Sequence, residues 1–148
     1  MGGKVFFSVS MSVDGFIAPA SLGELMGTQW MELQQWIFPQ RFFRENLKLG
    51  EGGEEGRDND IARETFERTG ASVMGKRMFE AGEQGWPEEA PFHTPVLIDE
   101  FSIALSPVLF GSGIRLFDGV DAGRVALEPV RAEPSPRVTH LTYTVRER

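Results

Sequence analysis

The sequence contains no cysteine among its 148 residues, which excludes disulfides, thiolate nucleophiles and cysteine-ligated zinc. Its two histidines, His93 and His140, lie far apart and form no recognised metal motif, so no metal site is predicted. It also lacks a signal-peptide pattern at the N-terminus and any apolar run as long as a membrane span. We therefore expect a cytoplasmic protein with no membrane contact.

Basic residues are few: 15 Lys and Arg stand against 22 Asp and Glu, for a net charge of -7. Nucleic-acid binding needs clustered cations on one face, so no nucleic-acid partner is expected and any anion site must be local. With 41% hydrophobic and 25% charged residues, the composition predicts one globular domain over residues 1–148.

Residues 4–13 alternate between apolar and small hydroxylated side chains, which predicts a β-strand with two unlike faces. The serines at positions 8, 10 and 12 form a face that can border a cleft. Asp14 and Gly15 then break the strand, and the ordinary explanation of this pair is a hairpin turn.

The spacing of apolar residues between positions 30 and 49 predicts helical packing, interrupted at Pro39. Its aromatic residues are typical of a core or of a lid over a pocket. The glycines of residues 50–56 lie among glutamates, which argues against a phosphate cradle. Asp58 or Asn59 is predicted to cap the next helix, and Gly70 to end it.

Residues 71–74 are predicted to be a buried strand that ends at Gly75, with a helix starting at Lys76. Lys76 and Arg77 gain nothing from a helix N-terminus, which is already positive, whereas an anionic ligand such as a nucleotide phosphate would explain them. The alternative is a solvated pair of cations.

The last third is predicted to be β-structure, with strands over residues 101–110 and 137–145 and a return at 115–117. Pro107 argues for an edge or a bulge, and the Gly-Ser-Gly run 111–113 for a tight turn that can also approach a ligand. His93 and His140 are interpreted as surface or structural residues. The predicted fold class is α/β with an antiparallel edge.

Three segments in this order resemble the dihydrofolate-reductase-like family, which includes the 5-amino-6-(5-phosphoribosylamino)uracil reductase domain of riboflavin biosynthesis. They are Ser12-Val13-Asp14-Gly15-Phe16-Ile17, Gly75-Lys76-Arg77-Met78-Phe79-Glu80, and Pro107-Val108-Leu109-Phe110-Gly111-Ser112-Gly113-Ile114-Arg115-Leu116-Phe117. The resemblance implies a central mixed sheet flanked by helices, frequently a homodimer. It also implies an oxidoreductase with a cleft for NADPH and a flat heterocyclic substrate.

The resemblance makes Asp14 the one candidate for polar catalytic work, with shaping of the turn as its alternative role. It places Gly15, Phe16 and Ile17 beside the nicotinamide and the substrate, and Gly75, Lys76 and Arg77 at the adenosine-phosphate end of NADPH. Met78 stands where many relatives have threonine. The candidate cofactor-binding residues are Gly15, Phe16, Ile17, Gly75, Lys76, Arg77, Met78, Gly111 and Ser112.

The chain departs from the family at Val96-Leu97, where relatives carry further strands, a helix and a glycine pair that meets the cofactor pyrophosphate. Parallel strands need a crossover of a dozen or more residues, and none lies between these two positions. We therefore predict that a segment is missing between residues 96 and 97. The alternative to a reductase is a catalytically inactive binding or dimerisation module on the same scaffold.

Overall fold

The computed structural model describes residues 2–21, 27–72 and 98–148 of the chain. Within these ranges the elements follow one another as β1 (Phe6–Ser12), β2 (Phe16–Ala18), α1 (Thr28–Gln34), α2 (Arg41–Asn46), α3 (Arg57–Glu67), β3 (Glu100–Ser106), β4 (Ile114–Arg115), β5 (Val125–Pro134) and β6 (Thr139–Glu147). No helix in these ranges is long and apolar enough to cross a membrane. Of the buried strand predicted over residues 71–74, Ala71 and Ser72 are described, and both are exposed and lie in no strand. Residues 73–74, the helix predicted from Lys76 and the join at Val96-Leu97 lie outside the described residues.

A four-stranded mixed sheet in the order β1-β3-β6-β5 forms the centre of this mixed α/β fold. Strand β1 runs parallel to β3, whereas β3, β6 and β5 pair antiparallel. A parallel pair requires a long crossover, and the chain between β1 and β3 contains α1, α2 and α3. The C-terminal strands pair antiparallel as predicted, but β3 pairs with β6, and the return predicted at 115–117 is replaced by β4, which pairs with β2.

The two faces of this sheet differ in chemistry because side chains alternate along each strand. On one face Ser8, Ser102 and Thr142 are neighbours across β1, β3 and β6. On the other, the rings of Phe7 and Phe101 stack at 5.3 Å between centroids. The alternation predicted for β1 is therefore confirmed and continues across the next strands.

The helical layer packs on the hydroxylated face, where small side chains leave room for an indole ring. Trp36 joins Ala62, Ala104 and Val138 in one buried cluster. Its Nε1–H donates a hydrogen bond to Ser10 Oγ at 2.9 Å. The interruption predicted at Pro39 is confirmed, since α1 ends at Gln34 and α2 begins at Arg41.

Two local predictions are corrected by the structure, and one strand is additional to the predicted ones. Strand β3 ends at Ser106 and so stops before Pro107, which has no place in a central strand. Helix α3 begins at Arg57 with Gly56 as its N-cap residue, so Asp58 and Asn59 lie inside the first turn and are buried. The additional strand is β5, over Val125–Pro134, where the sequence pattern predicts none.

Candidate functional site

The turn after β1 is organised by hydrogen bonds between side chains close in sequence. Ser12, whose side chain is fully buried, donates its hydroxyl to Asp14 Oδ1 at 2.5 Å. The same Ser12 oxygen accepts the backbone N–H of Phe16 at 3.0 Å. The hydroxyl thus fixes both the Asp14 carboxylate and the entry into β2.

The Asp14 carboxylate also binds the loop that follows β3. Its Oδ1 accepts the backbone N–H of Phe110 at 3.1 Å, and its Oδ2 accepts that of Gly111 at 2.8 Å. The predicted site residues 14–17 and 111–112 are therefore brought together, although more than 90 residues separate them in sequence. Both segments follow the carboxyl ends of the parallel strands β1 and β3, the edge at which open α/β sheets bind ligands.

These bonds set the protonation state of Asp14. Hydrogen bonds from the Ser12 hydroxyl, and then from the backbone of Gly111 and Phe110, lower the pKa of Asp14 from 3.8 to about 2. Asp14 is therefore ionised at neutral pH and acts as a hydrogen-bond acceptor. This state suits a residue that orients a group or balances a positive charge, more than one that donates a proton.

Strand β2 pairs with β4 rather than folding back on β1 as a hairpin. The guanidinium carbon of Arg115 in β4 lies 4.6 Å from the centroid of the Phe16 ring, a cation–π contact. Its Nη1 also donates to the backbone oxygen of Asp14 at 3.4 Å. Phe16 is thus buried beneath a cation, while Gly111 and Ser112 are exposed on the loop beside it.

A cavity of about 470 Å³ lies between the hydroxylated face of the sheet and helices α2 and α3; we call it the sheet cavity. Ser8, Ser102 and Thr142 line its sheet side, where the hydroxyls of Ser102 and Thr142 are 2.9 Å apart. Its helical side is aromatic, with Trp36, Phe42, Phe43 and Phe66. The sheet cavity therefore has one hydrogen-bonding wall and one apolar wall.

Arg68 and Glu100 form one charged end of the sheet cavity. Arg68 Nη1 donates to Glu100 Oε1 at 2.6 Å, and its guanidinium carbon lies 4.1 Å from the centroid of the Phe6 ring. The cation is thus held between a carboxylate and an aromatic face.

An ionic network joins α3 to β5 along the side of the sheet cavity. Arg57 contacts both oxygens of Glu133, at 2.6 and 3.2 Å, and donates to Glu64 at 3.0 Å. Arg131 donates to the other oxygen of Glu64 at 3.3 Å. The hydrogen bonds from Arg57 are the first cause that lowers the pKa values of Glu64 and Glu133.

His140 lines the sheet cavity and pairs with Asp58 of α3, with Nε2 and Oδ1 2.5 Å apart and both side chains buried. Trp36 contacts the imidazole edge-on at 5.1 Å between centroids. The alternating strand predicts a structural role for His140, and the start of a helix a capping role for Asp58 or Asn59; no sequence pattern links His140 to Asp58, 82 positions away. The sequence signal for this pair was His140 itself, a polar residue at an inward-facing position of an alternating strand.

Gly75, Lys76, Arg77, Met78 and His93 lie outside the described residues, so the predicted phosphate end of the site stays a prediction. Within the described ranges, no group of three or more His, Asp or Glu side chains is placed to hold a metal ion.

No protein-family model matches the chain, and no curated protein matches it either. The assignment to a fold class therefore rests on the sheet and the helices themselves, which make a mixed α/β fold with a four-stranded mixed sheet.

Proposed function

We propose that the chain is an NADPH-dependent reductase of a flat heterocycle, of the pterin or pyrimidine type, with a dihydrofolate-reductase-like arrangement of its sheet. The observation that carries the substrate part of this proposal is the sheet cavity, whose described lining includes none of the residues proposed for NADPH. Its volume of about 470 Å³ is within the range of small-molecule sites. The riboflavin-precursor pyrimidine belongs to the proposed substrate class.

The two walls of the sheet cavity match the two kinds of surface on such a ring. The aromatic side chains on the helices favour the flat apolar face of a heterocycle. Ser8, Ser102 and Thr142 offer hydroxyls that can both donate to and accept from its polar edge. A hydrocarbon ligand would displace water from these hydroxyls and offer them no hydrogen bond in return.

The residues around Asp14 fit the nicotinamide end of NADPH better than its phosphates. The Asp14 carboxylate already takes the N–H groups of Phe110 and Gly111, and its negative charge repels phosphate. The same charge favours the cationic ring of the oxidised nicotinamide. Gly111, which has φ +75° and no atom within 4 Å of an added Cβ, leaves the loop open to close approach.

Lys76 and Arg77 are the residues we propose for the phosphate end of NADPH. The bound cofactor supplies the hydride, so the protein has to orient the ring and exclude water. The aromatic wall over the sheet serves the second requirement. We further propose a homodimer, as the family resemblance implies.

The proposal is tested by screening pterins and pyrimidines for NADPH oxidation with the wild-type protein and with Ser8→Phe. Ser8 borders the sheet cavity from an exposed position on β1, so a ring there fills the cavity without disturbing buried neighbours. Lys4→Phe, an exposed change just before β1, is the matched control.

We expect Ser8→Phe to abolish turnover of the reduced heterocycle while NADPH still binds, and Lys4→Phe to behave as wild type. Full turnover by Ser8→Phe would show that the substrate does not bind in the sheet cavity. No oxidation with any ring, together with no NADPH binding, would favour the inactive binding or dimerisation module instead.

A further inference from the structure

We infer that His140 is a specificity-determining residue of the sheet cavity, which accepts a hydrogen bond at Nδ1 from a ring N–H or amino group of the bound heterocycle. The inference rests on the proposed function, since it names the chemical feature that the cavity selects in its ligand. It assigns no step of the reduction to His140.

The Asp58 carboxylate fixes the proton of the imidazole on Nε2. A carboxylate can only accept, so the short contact between Asp58 Oδ1 and Nε2 makes Nε2–H the donor. Asp58 lies in the first turn of α3, where the helix N-terminus favours its negative charge. The hydrogen bond to Glu54 is the first cause of the raised pKa of Arg137, and the charge of Asp58 adds to it.

In the neutral imidazole the second ring nitrogen is an acceptor, and no described residue forms a hydrogen bond with it. Every fully buried side-chain nitrogen or oxygen in the described ranges has a partner. An Nδ1 atom without a protein partner is therefore not fully buried, and His140 is a lining residue of the sheet cavity. A ligand donor is the group that completes its hydrogen bonding.

Packing holds the imidazole in this orientation. Trp36 meets the ring edge-on and is itself fixed by its hydrogen bond to Ser10. A ring that cannot turn presents a single acceptor at a single place. Such a site rejects a ligand that lacks the donor, because Nδ1 would be covered without a partner.

The test uses two probes of the same ring system, lumazine and 1,3-dimethyllumazine, of which only the first has ring N–H donors. Their affinities are measured by fluorescence without NADPH, for the wild-type protein and for His140→Phe and Asp58→Asn. Asp58→Asn keeps the shape but permits the other tautomer, as an amide can also donate to Nε2. Asp60→Asn is the matched control, because Asp60 is an exposed acid in the same first turn.

We expect the wild-type protein to bind lumazine about tenfold tighter than the dimethyl probe, the usual loss when a buried acceptor is left without a partner. The ratio should fall to near unity in His140→Phe and Asp58→Asn and persist in Asp60→Asn. Nitrogen-15 spectra of the wild-type imidazole should show Nε2 protonated and a shift at Nδ1 when lumazine is added. His93→Gln identifies which histidine gives the signal.

Equal affinity for the two probes, no binding of either, or binding that leaves Nδ1 unshifted would overturn the inference. The wild-type spectra decide the matter even if a variant fails to fold. The probe affinities are measured without NADPH, so a preference for lumazine would stand even if the protein were found not to be a reductase. Conversely, NADPH oxidation without any preference between the probes would reject only the role of His140.

Discussion

The carboxylate of Asp14 accepts the backbone N–H of Gly111 at 2.8 Å, and so joins two loops that are 97 residues apart in sequence. Three donors converge on this carboxylate: the Ser12 hydroxyl and the N–H groups of Phe110 and Gly111. The predicted catalytic residue therefore also holds the candidate site together. Its two roles are separable by experiment.

Asp14→Asn is expected to destabilise the protein at neutral pH and much less in acid. The pKa of Asp14 falls from 3.8 to about 2 on folding, so its contribution to stability is present above the unfolded value and is lost as the pH falls toward about 2. Urea unfolding at neutral pH and near pH 2 measures the difference between wild type and variant. Asp118→Asn, an exposed change after β4, is the control.

A difference in unfolding free energy that does not shrink in acid would contradict this role. Asp14→Asn is also expected to impair turnover more than NADPH binding, because Asp14 is proposed to lie at the nicotinamide end of the cofactor and not at its phosphates. Equal effects on turnover and binding would leave Asp14 as a residue that shapes the loop.

Gly113→Ala is expected to destabilise the protein more than Gly111→Ala. A Cβ on Gly113 would lie 2.4 Å from the backbone oxygen of Ala18, and its φ of +142° belongs to glycine. Gly111 has φ +75° and open space around the same atom, so its replacement costs about 1 kcal/mol of backbone strain and that of Gly113 about 3 kcal/mol or more. Thermal unfolding of both variants provides the comparison. Equal losses would mean that β2 and the loop before β4 do not pack this closely.

Trp36→Phe is expected to lower the free energy of unfolding by about 1–3 kcal/mol, because the buried Ser10 hydroxyl loses its indole donor. Trp30→Phe is the matched control, since Trp30 is only half-buried and its ring lies 6.4 Å from that of Phe38. The comparison is made by chemical denaturation, in which the slope of the unfolding free energy against denaturant concentration should be the same for both variants. Similar losses for the two tryptophans would show that the bond to Ser10 contributes little.

Local patterns predicted the parts of the fold that local physics determines. Alternation over residues 4–13 gave β1 and its hydroxylated face, and Pro39 marked the break between helices. No strand is predicted from sequence over β5, which contains two prolines, Pro129 and Pro134. They are tolerated since β5 lies at the edge of the sheet and its register shifts between Pro129 and Arg131.

The site was predictable only in part, since its contacts join distant parts of the chain. The family resemblance brought attention to Asp14 and to the Gly-Ser-Gly loop, and these do meet. The pair of His140 and Asp58 has no sequence pattern, because β6 and α3 are brought together by packing around Trp36. Asp58 or Asn59 was expected to cap α3, but Gly56 occupies that position, and Asp58 pairs with His140 instead.

Calorimetry with NADPH and NADH is the most direct test of the central claim, that this chain binds NADPH as a reductase. The account predicts tighter binding of NADPH than of NADH, and loss of that preference in Lys76→Ala with Arg77→Ala, with little change in stability. Charge-assisted bonds to phosphate are each worth about 1.5–3 kcal/mol, so the double variant should weaken NADPH binding at least tenfold. No heat with either nucleotide, or unchanged affinity in the double variant, would contradict it.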